Sequence, residues 1–526
     1  MMREKIKHPI FIISIFAIIG ILLRLYYFPY EIPFSYDTLD YFAYALTESS
    51  VGKFPENIAL ANNGWPTIVS IFVSLSNSNN LMDLTYLQRI IGISFSILTV
   101  IPIYLLARKF FTQNIALIAP GLFILEPNIL INSVSGGTMP IFIFLGTSII
   151  LLFLSDRIKI ITIAFALIAI LSFMRYEGLL LIFPLSIMFF IRFRNKRSEI
   201  KKYFFMILVF LLVISPIAFL RIDAYGHDGF VSNFIDSGKH VTNILGGEIP
   251  SDDEEWVITG ENNIPDFLKF GGINLLKFLG ITMIPIFLSF VLISIIYLIK
   301  KRNQLEINAK ILSVVFYSLI FLIPAFYAYG RHIEELRYLF ILFPMFSLFS
   351  LFSIKIIFQK IRNHNAISVL IVGGVIILSV GFIEYDKDDY VFERESFYIA
   401  KKVVDAEYGY NIFSPASKFI KSAEIYNHWP STIEFARDGH VARQTIGISD
   451  ANFESLDLFL IKSEEKGLTH LVIDDRDRPN FLKDIFLHEE EFPYLEKIYD
   501  SNDEGLEYKV KIFRINYNSF HEYIEQ

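Results

Sequence analysis

The sequence predicts a polytopic α-helical membrane protein of about 11 transmembrane helices with a small C-terminal extracytoplasmic α/β domain. Three observations carry this reading. Of 526 residues, 53% are hydrophobic and 16% aromatic, with 53 Phe, and the mean hydropathy is +0.48; soluble domains rarely have such a composition. The charged residues, 19% of the chain, gather between apolar runs. Past about residue 385 the apolar character gives way to short strand and helix patterns. A net charge of −7 argues against a nucleic-acid partner. The chain has no Cys, which excludes a disulfide framework, a thiolate zinc site and a Cys nucleophile.

Apolar runs fall at roughly 9–28, 86–107, 114–131, 138–154, 158–174, 177–192, 202–220, 274–299, 309–329, 336–358 and 366–383. The stretch Met1 to His8 is basic and leads into an apolar run of about 20 residues. That is longer than a signal-peptide core, and no small-residue cleavage site follows, so it reads as a retained span. Segment 66–76 is too short to cross and is expected along the interface. Lys and Arg crowd alternate connections: Arg3, Lys5 and Lys7; Arg108 and Lys109; Arg157 and Lys159; Arg192 to Lys202; Lys300 to Lys310; Lys355 to Arg362. The other set holds few, among them Lys53, Arg175, Arg221, Lys239, Arg331 and Arg337. Excess positive charge marks the cytoplasmic side, so the N-terminus is expected inside and the tail outside.

The outside face then carries loop 29–85, loop 221–273, the link 330–335 and the tail. Loop 221–273 is acidic at Asp252-Asp253-Glu254-Glu255 and holds His227 and His240, which lack tight metal-ligand spacing and read as solvated. In the tail, 469–475 reads as a buried strand and 508–515 as an alternating one, with helical patterns near 396–407, 453–466 and 480–487. The sequence divides into a membrane domain, 1–385, and an α/β domain, 386–526.

Loop 29–85 contains Ser35-Tyr36-Asp37-Thr38-Leu39-Asp40-Tyr41-Phe42-Ala43-Tyr44-Ala45. As a helix it sets Asp37, Asp40, Tyr41 and Tyr44 on one face. Two neighbouring carboxylates repel, so a metal ion, an Arg, a shared proton or water must offset them. The face reads as an acid/base centre; capping of the helix start explains the same acids and does not exclude that role. Asn62-Asn63-Gly64-Trp65-Pro66 turns the loop back to the membrane, and Arg89 opens the next span. Arg175-Tyr176-Glu177-Gly178 puts ionisable groups at a span end, either a functional pair or an interfacial one. Arg331, His332 and Arg337 frame a link that either binds a phosphate through guanidinium forks or stays in water. There is no phosphate-cradling Gly-rich loop, no Gly-x-Ser-x-Gly and no His-Glu-x-x-His.

Taken in order, these residues resemble the GT-C superfamily of membrane glycosyltransferases. The similarity is greatest to the branch of dolichyl-phosphate-mannose protein mannosyltransferases and lipid A aminoarabinose transferases. Asp37, Tyr41 and Ala45 match that branch's first outside loop, with Thr38 where Glu often stands. The span from Arg89 to Ala107-Arg108-Lys109-Phe110-Phe111, then Glu126-Pro127, then Arg175-Tyr176-Glu177-Gly178 resemble its later signposts. The resemblance covers about residues 1–385. Thr138-Met139-Pro140 replaces a Thr-Glu-Pro common in related chains, so one acidic ligand is missing and a divalent cation is left open. The Trp-Trp-Asp-x-Gly signature of oligosaccharyltransferase catalytic subunits is absent, which argues against en bloc transfer.

The resemblance implies transfer of one sugar from a polyprenyl-phosphate (dolichyl-phosphate) donor to a protein, glycan or lipid acceptor, with inversion. Asp37 is the expected base and Asp40 the second. Tyr41, Arg89, Arg175, Glu177, Arg331, His332 and Arg337 are the expected substrate-binding residues, with Arg337 foremost for the phosphate. The alternatives are a lipid or sugar transporter or flippase, whose signs would be inverted repeats and broken helices with charges at midplane, and a non-catalytic assembly protein whose tail is the working part.

Overall fold

The computed structural model describes residues 2–56, 58–246, 264–301, 309–360, 364–387, 389–412, 416–428, 445–449, 453–476 and 480–525. The acidic run Asp252–Glu255 and the side chain of His240 lie outside the described residues.

Among the described residues, six helical stretches are long and apolar enough to cross a bilayer: Pro9–Tyr26, Leu81–Ala107, Tyr176–Phe193, Ser198–Tyr225, Ala309–Gly330 and Leu336–Gln359. Shorter apolar helices fall at Gly64–Leu75, Met139–Phe153, Ile158–Met174, Phe287–Lys300 and Leu370–Gly381. An α-helix rises about 1.5 Å per residue, so these cover less than the roughly 30 Å hydrocarbon core. Their length alone does not make them spans, and the expected count of about 11 is not established by this measure.

The elements that shape the site are α1 (Met2–Tyr26), α2 (Tyr36–Val51), α3 (Gly64–Leu75) and α4 (Leu81–Leu98). Then come α5 (Val100–Ala107), α6 (Gln113–Ala116), α7 (Ile118–Ile124), α8 (Pro127–Val134), α9 (Met139–Phe153) and α10 (Ile158–Met174). The expected span 114–131 is not straight: it is a pair of helical pieces, Gln113–Ile124 and Pro127–Val134, bent by 54°. Pro127 has no N–H and starts α8, while the Glu126 carboxylate accepts from Ile129 N at 3.3 Å and caps it. The break leaves carbonyls at the end of α7 without helical partners. Arg24, fully buried on α1, donates to Ile124 O at 3.1 Å, and also to Gly20 O at 3.0 Å, Ser96 Oγ at 3.0 Å and Ser133 Oγ at 2.7 Å. One guanidinium therefore ties α1, α4, α7 and α8 together, and helix C-terminal carbonyls favour such a cation.

The chain continues through α11 (Ile182–Phe193), α12 (Arg197–Ile200), α13 (Tyr203–Tyr225), α14 (Val231–Gly246), α15 (Ile264–Ile281), α16 (Pro285–Lys301), α17 (Ala309–Gly330), α18 (Phe343–Lys360) and α19 (His364–Lys387). Between these helices the core is aromatic and aliphatic. Phe142 meets Phe321 edge-on at 5.8 Å, and Phe111 meets Phe352 at 4.8 Å. Contacts of this kind hold helices together where lipid is as apolar as the side chains.

The tail begins with α20 (Asp389–Asp405) and α21 (Ser417–His428), then builds a five-stranded sheet in the order β2-β1-β3-β5-β4. β1 (Tyr410–Asn411) pairs in parallel with β2 (Gly447–Ile448) and β3 (His470–Asp474). β4 (Leu495–Asp500) and β5 (Val510–Ile515) complete it antiparallel. The strand expected at 469–475 is β3, buried at every position. The expected alternation at 508–515 holds only in part, because Ile512 and Phe513 are both buried in β5.

The tail docks on the first connection. Lys421 on α21 pairs with Asp40, Ser422 Oγ donates to Phe34 O, and Tyr426 OH meets Thr85 Oγ1. Ile425 packs with Phe34, Leu39 and Phe42, and Tyr390 OH donates to Tyr27 O at 3.2 Å.

Replacing Arg24 with Met should remove all four bonds at once and lower stability by about 3 kcal/mol. Thermal unfolding in detergent checks this; Arg24→Lys, which keeps the charge with fewer donors, should lose less.

Candidate active site

The face expected at the start of α2 forms as a helix from Tyr36 to Val51. The Ser35 hydroxyl makes no cap bond, and Tyr36 sits in the left-handed region at φ 51°. A side chain there costs of order 1 kcal/mol, so the surrounding contacts, not local preference, fix where Asp37 points. Asp37 Oδ2 lies 2.7 Å from Arg337 Nη1. Arg337 stands on the short 3₁₀ helix Leu336–Leu342 that leads into α18, and its Nε is engaged by Glu335. The site is thus a guanidinium shared by two carboxylates, one from each end of the membrane domain's sequence.

A second guanidinium stands close by. Arg175 is buried, pairs with Glu177 at 2.7 Å, and lies 6.0 Å from the Tyr338 ring and 5.9 Å from Phe142. Arg337 lies 5.9 Å from the same Tyr338 ring, so one tyrosine separates the two cations. Tyr41, one turn after Asp37, is within electrostatic reach of Arg175. Asp37, Tyr41, Arg175, Glu177 and Arg337 are therefore brought into one neighbourhood.

The remaining candidates have other surroundings. Asp40 is taken by Lys421 of the tail. Arg89 is 3% exposed and donates through Nη1 to Pro29 O at 3.1 Å and Ile32 O at 2.8 Å, with its guanidinium 4.7 Å from the Phe34 ring. Those bonds pin the strand of chain that enters α2. Arg331 contacts Tyr327, one turn back on α17, at 3.4 Å, and His332 packs on Phe270 with ring centres 4.2 Å apart. Among the described residues neither is joined by a contact to Asp37. No three His, Asp or Glu gather as a metal-ligating group among the described residues.

Sequence reasoning missed the frame beneath α2. Arg221, 1% exposed at the end of α13, donates to Asn63 Oδ1 at 2.7 Å and to Leu60 O at 3.1 Å. Asn63 Nδ2 donates to Tyr44 OH at 3.0 Å, and Tyr44 OH meets Tyr225 OH at 2.6 Å. Arg221 closing an apolar run was the available signal. Trp65 Nε1 and Gln88 Nε2 both donate to Gly136 O, at 2.9 and 2.8 Å. Gly136 adopts φ +82°, and a Cβ there would stand 2.5 Å from Phe34, so only glycine fits. Asn62 Oδ1 accepts from Tyr176 N at 3.2 Å, which joins the same loop to the Arg175 turn.

No family model matches the sequence, and no curated protein matches it. Solved structures do match. The oligosaccharyltransferase of Archaeoglobus fulgidus in complex with Zn and sulfate aligns at TM-score 0.53 and 14% identity, over 88% of this chain and 68% of that one. The archaeal oligosaccharyltransferase AglB of the same organism, in complex with an inhibitory peptide and a dolichol-phosphate, aligns at 0.55 and 13%, over 89% and 70%. ArnT of Cupriavidus metallidurans bound to undecaprenyl phosphate aligns at 0.50 and 8%, over 95% and 97%. The protein has the fold of these solved structures, with a helical body rich in apolar helices and a small C-terminal sheet domain.

Glu48, two turns beyond Tyr41 on α2, is buried, and its Oε2 has no partner among the described residues. Burial pushes its carboxyl up to about 7, although the hydroxyls of Thr67 and Ser70 pull the other way. The raised value means that the folded protein holds a proton that the unfolded chain releases above about pH 4.5. This stability term is complete below that pH, fades as pH rises to about 7 and is then gone. Its full size is about 3 kcal/mol. The melting temperature of the wild type should fall more steeply between pH 4.5 and 7 than that of Glu48→Gln, the two converging at the acid end.

Proposed function

We propose that this protein is an integral membrane glycosyltransferase. It transfers a single hexosyl group from a polyprenyl-phosphate sugar to an acceptor hydroxyl on the extracytoplasmic face, with inversion, its N-terminus lying in the cytoplasm. The single observation that carries the reading is the Asp37–Arg337 contact of 2.7 Å, a base and a phosphate-binding group set side by side. The dolichol-phosphate bound to AglB and the undecaprenyl phosphate bound to ArnT support a polyprenyl-phosphate donor.

The chemistry follows from what such a donor lacks. Its leaving group is a phosphate, already a weak base, so no general acid is required. The acceptor oxygen attacks the anomeric carbon, the carbon–oxygen bond to phosphate breaks with its electron pair on the phosphate, and the acceptor proton passes to Asp37. Charge grows on the phosphate as this happens, and Arg337 meets it with preorganised donors. Arg175, across Tyr338, adds a second positive charge. Phosphate and Asp37 compete for the Nη1 edge of Arg337, while Glu335 keeps hold of Nε. Donor binding then releases the carboxylate that the next step uses. Tyr41 and Glu177 position Arg175, and Asp40 with Lys421 positions the helix.

One observation favours a second reading. The bent pair with buried Glu126 at its break is the kind of feature transporters carry. Exchange of labelled lipid or sugar across proteoliposomes by a protein without transferase activity would favour transport.

Asp37→Asn should lower turnover roughly 10²- to 10⁴-fold with a panel of radiolabelled polyprenyl-phosphate hexoses, while still binding undecaprenyl phosphate. Near-normal turnover would remove Asp37 as the base. Arg337→Gln should instead weaken undecaprenyl phosphate binding roughly 10- to 100-fold, read by competition with a labelled prenyl phosphate.

A further inference from the structure

At the start of α2 the protein holds a cavity of about 270 Å³. Its lining includes Ser35, Thr38, Arg89, Ser135, Glu393 and Phe419, so α2, the end of α8, α4 and the first two tail helices all contribute. Arg89 is the unusual group here. It is 3% exposed, makes its hydrogen bonds through Nη1 to two carbonyls, and its Nε has no partner among the described residues. A buried guanidinium is ordinarily matched by a carboxylate, because an unmatched buried charge is costly. The acid on this cavity wall, Glu393, is within electrostatic reach of Arg89 but makes its ion pair with Lys418. The wall therefore keeps a positive charge and an unused donor next to three hydroxyls.

We propose that this cavity is an anion subsite for the acceptor: it takes a carboxylate or phosphate carried on a group no larger than a monosaccharide. Arg89 meets the anion, and Ser35, Thr38 and Ser135 meet the hydroxyls around it. The volume corresponds to roughly nine waters at about 30 Å³ each, room for one sugar ring and little more. Ser35 and Thr38 flank Asp37 in the chain; Asp37 itself does not line the cavity, so a group held here stands at the start of the helix that carries the proposed base. Glu393 and Phe419 give the tail a direct part in acceptor choice. This assignment to the acceptor rests on the glycosyltransferase reading above; the anion binding itself does not.

The test uses the full-length protein in nanodiscs with three probes: glucuronate, inorganic phosphate and glucose, titrated by ligand-observed NMR. At least one anion should bind roughly tenfold or more tightly than glucose, glucuronate identifying a carboxylated sugar and phosphate a phosphorylated one. Glu393→Gln, which removes the acid from the wall, should tighten anion binding roughly twofold to fivefold, a gain that misfolding cannot produce. Thr38→Phe, which fills the cavity, should abolish it while undecaprenyl phosphate still binds. The proposal is overturned if neither anion binds, if glucose binds equally well, if Glu393→Gln leaves affinity unchanged, or if undecaprenyl phosphate displaces the anions. Loss of transferase activity in every assay would sink the glycosyltransferase reading and leave this binding result standing by itself.

Discussion

Arg337 and Asp37 come from distant parts of the chain, and their meeting depends on everything built around them. The ion pair is partly exposed, with side-chain exposures of 34% and 53%, and pairs of that kind contribute only about 0–1 kcal/mol. The contact therefore does not hold the fold together; the fold holds the contact together. Three supports converge on α2. The tail grips it through Lys421, Ser422 and Ile425. The Arg221–Asn63–Tyr44–Tyr225 chain of hydrogen bonds fixes its underside. The Gly136 turn lets Phe34 and Trp65 close in behind it. On the other side Glu335 forms an ion pair with Arg337 at Nε.

Arg24, Arg89, Arg175, Arg221 and Arg337 fall into two kinds by their partners, and the difference bears on function. Arg24 and Arg221 are satisfied mainly by backbone carbonyls, hydroxyls and an amide. These neutral partners suit a structural clamp, because nothing in the site needs to change during a reaction. Arg175 and Arg337 are paired with carboxylates, and an anionic ligand can take the place of a carboxylate. Arg89 has the carbonyl partners of the first kind and, like Arg221, an Nε without a partner among the described residues, but it also lines a cavity.

Much of this was legible in the sequence. Apolar length marks the long spans, and the 3.6-residue period places Asp37 and Tyr41 on one face of α2. β3 announced itself through its apolar centre, Leu471-Val472-Ile473. What was illegible has a common physical cause. Arg24 and Arg221 find partners in carbonyls and side chains far away in sequence, and no local pattern encodes a carbonyl partner. The bend at Glu126-Pro127 was visible as a dipeptide, but its effect on the span depends on Arg24 and Ser379 meeting the freed carbonyls. Asp40 read as a second base until the tail supplied Lys421. The short apolar helices show that hydropathy finds segments more readily than it decides whether each one crosses.

At the centre of the account, one guanidinium serves the base and the leaving phosphate in turn. A cryo-electron microscopy structure of the full-length protein with undecaprenyl phosphate bound examines this directly. The account predicts phosphate oxygens within hydrogen-bond distance of Arg337 Nη1, with Glu335 still on Nε and the Asp37 carboxylate no longer in contact. A phosphate bound elsewhere, with the Asp37–Arg337 pair intact, would contradict it.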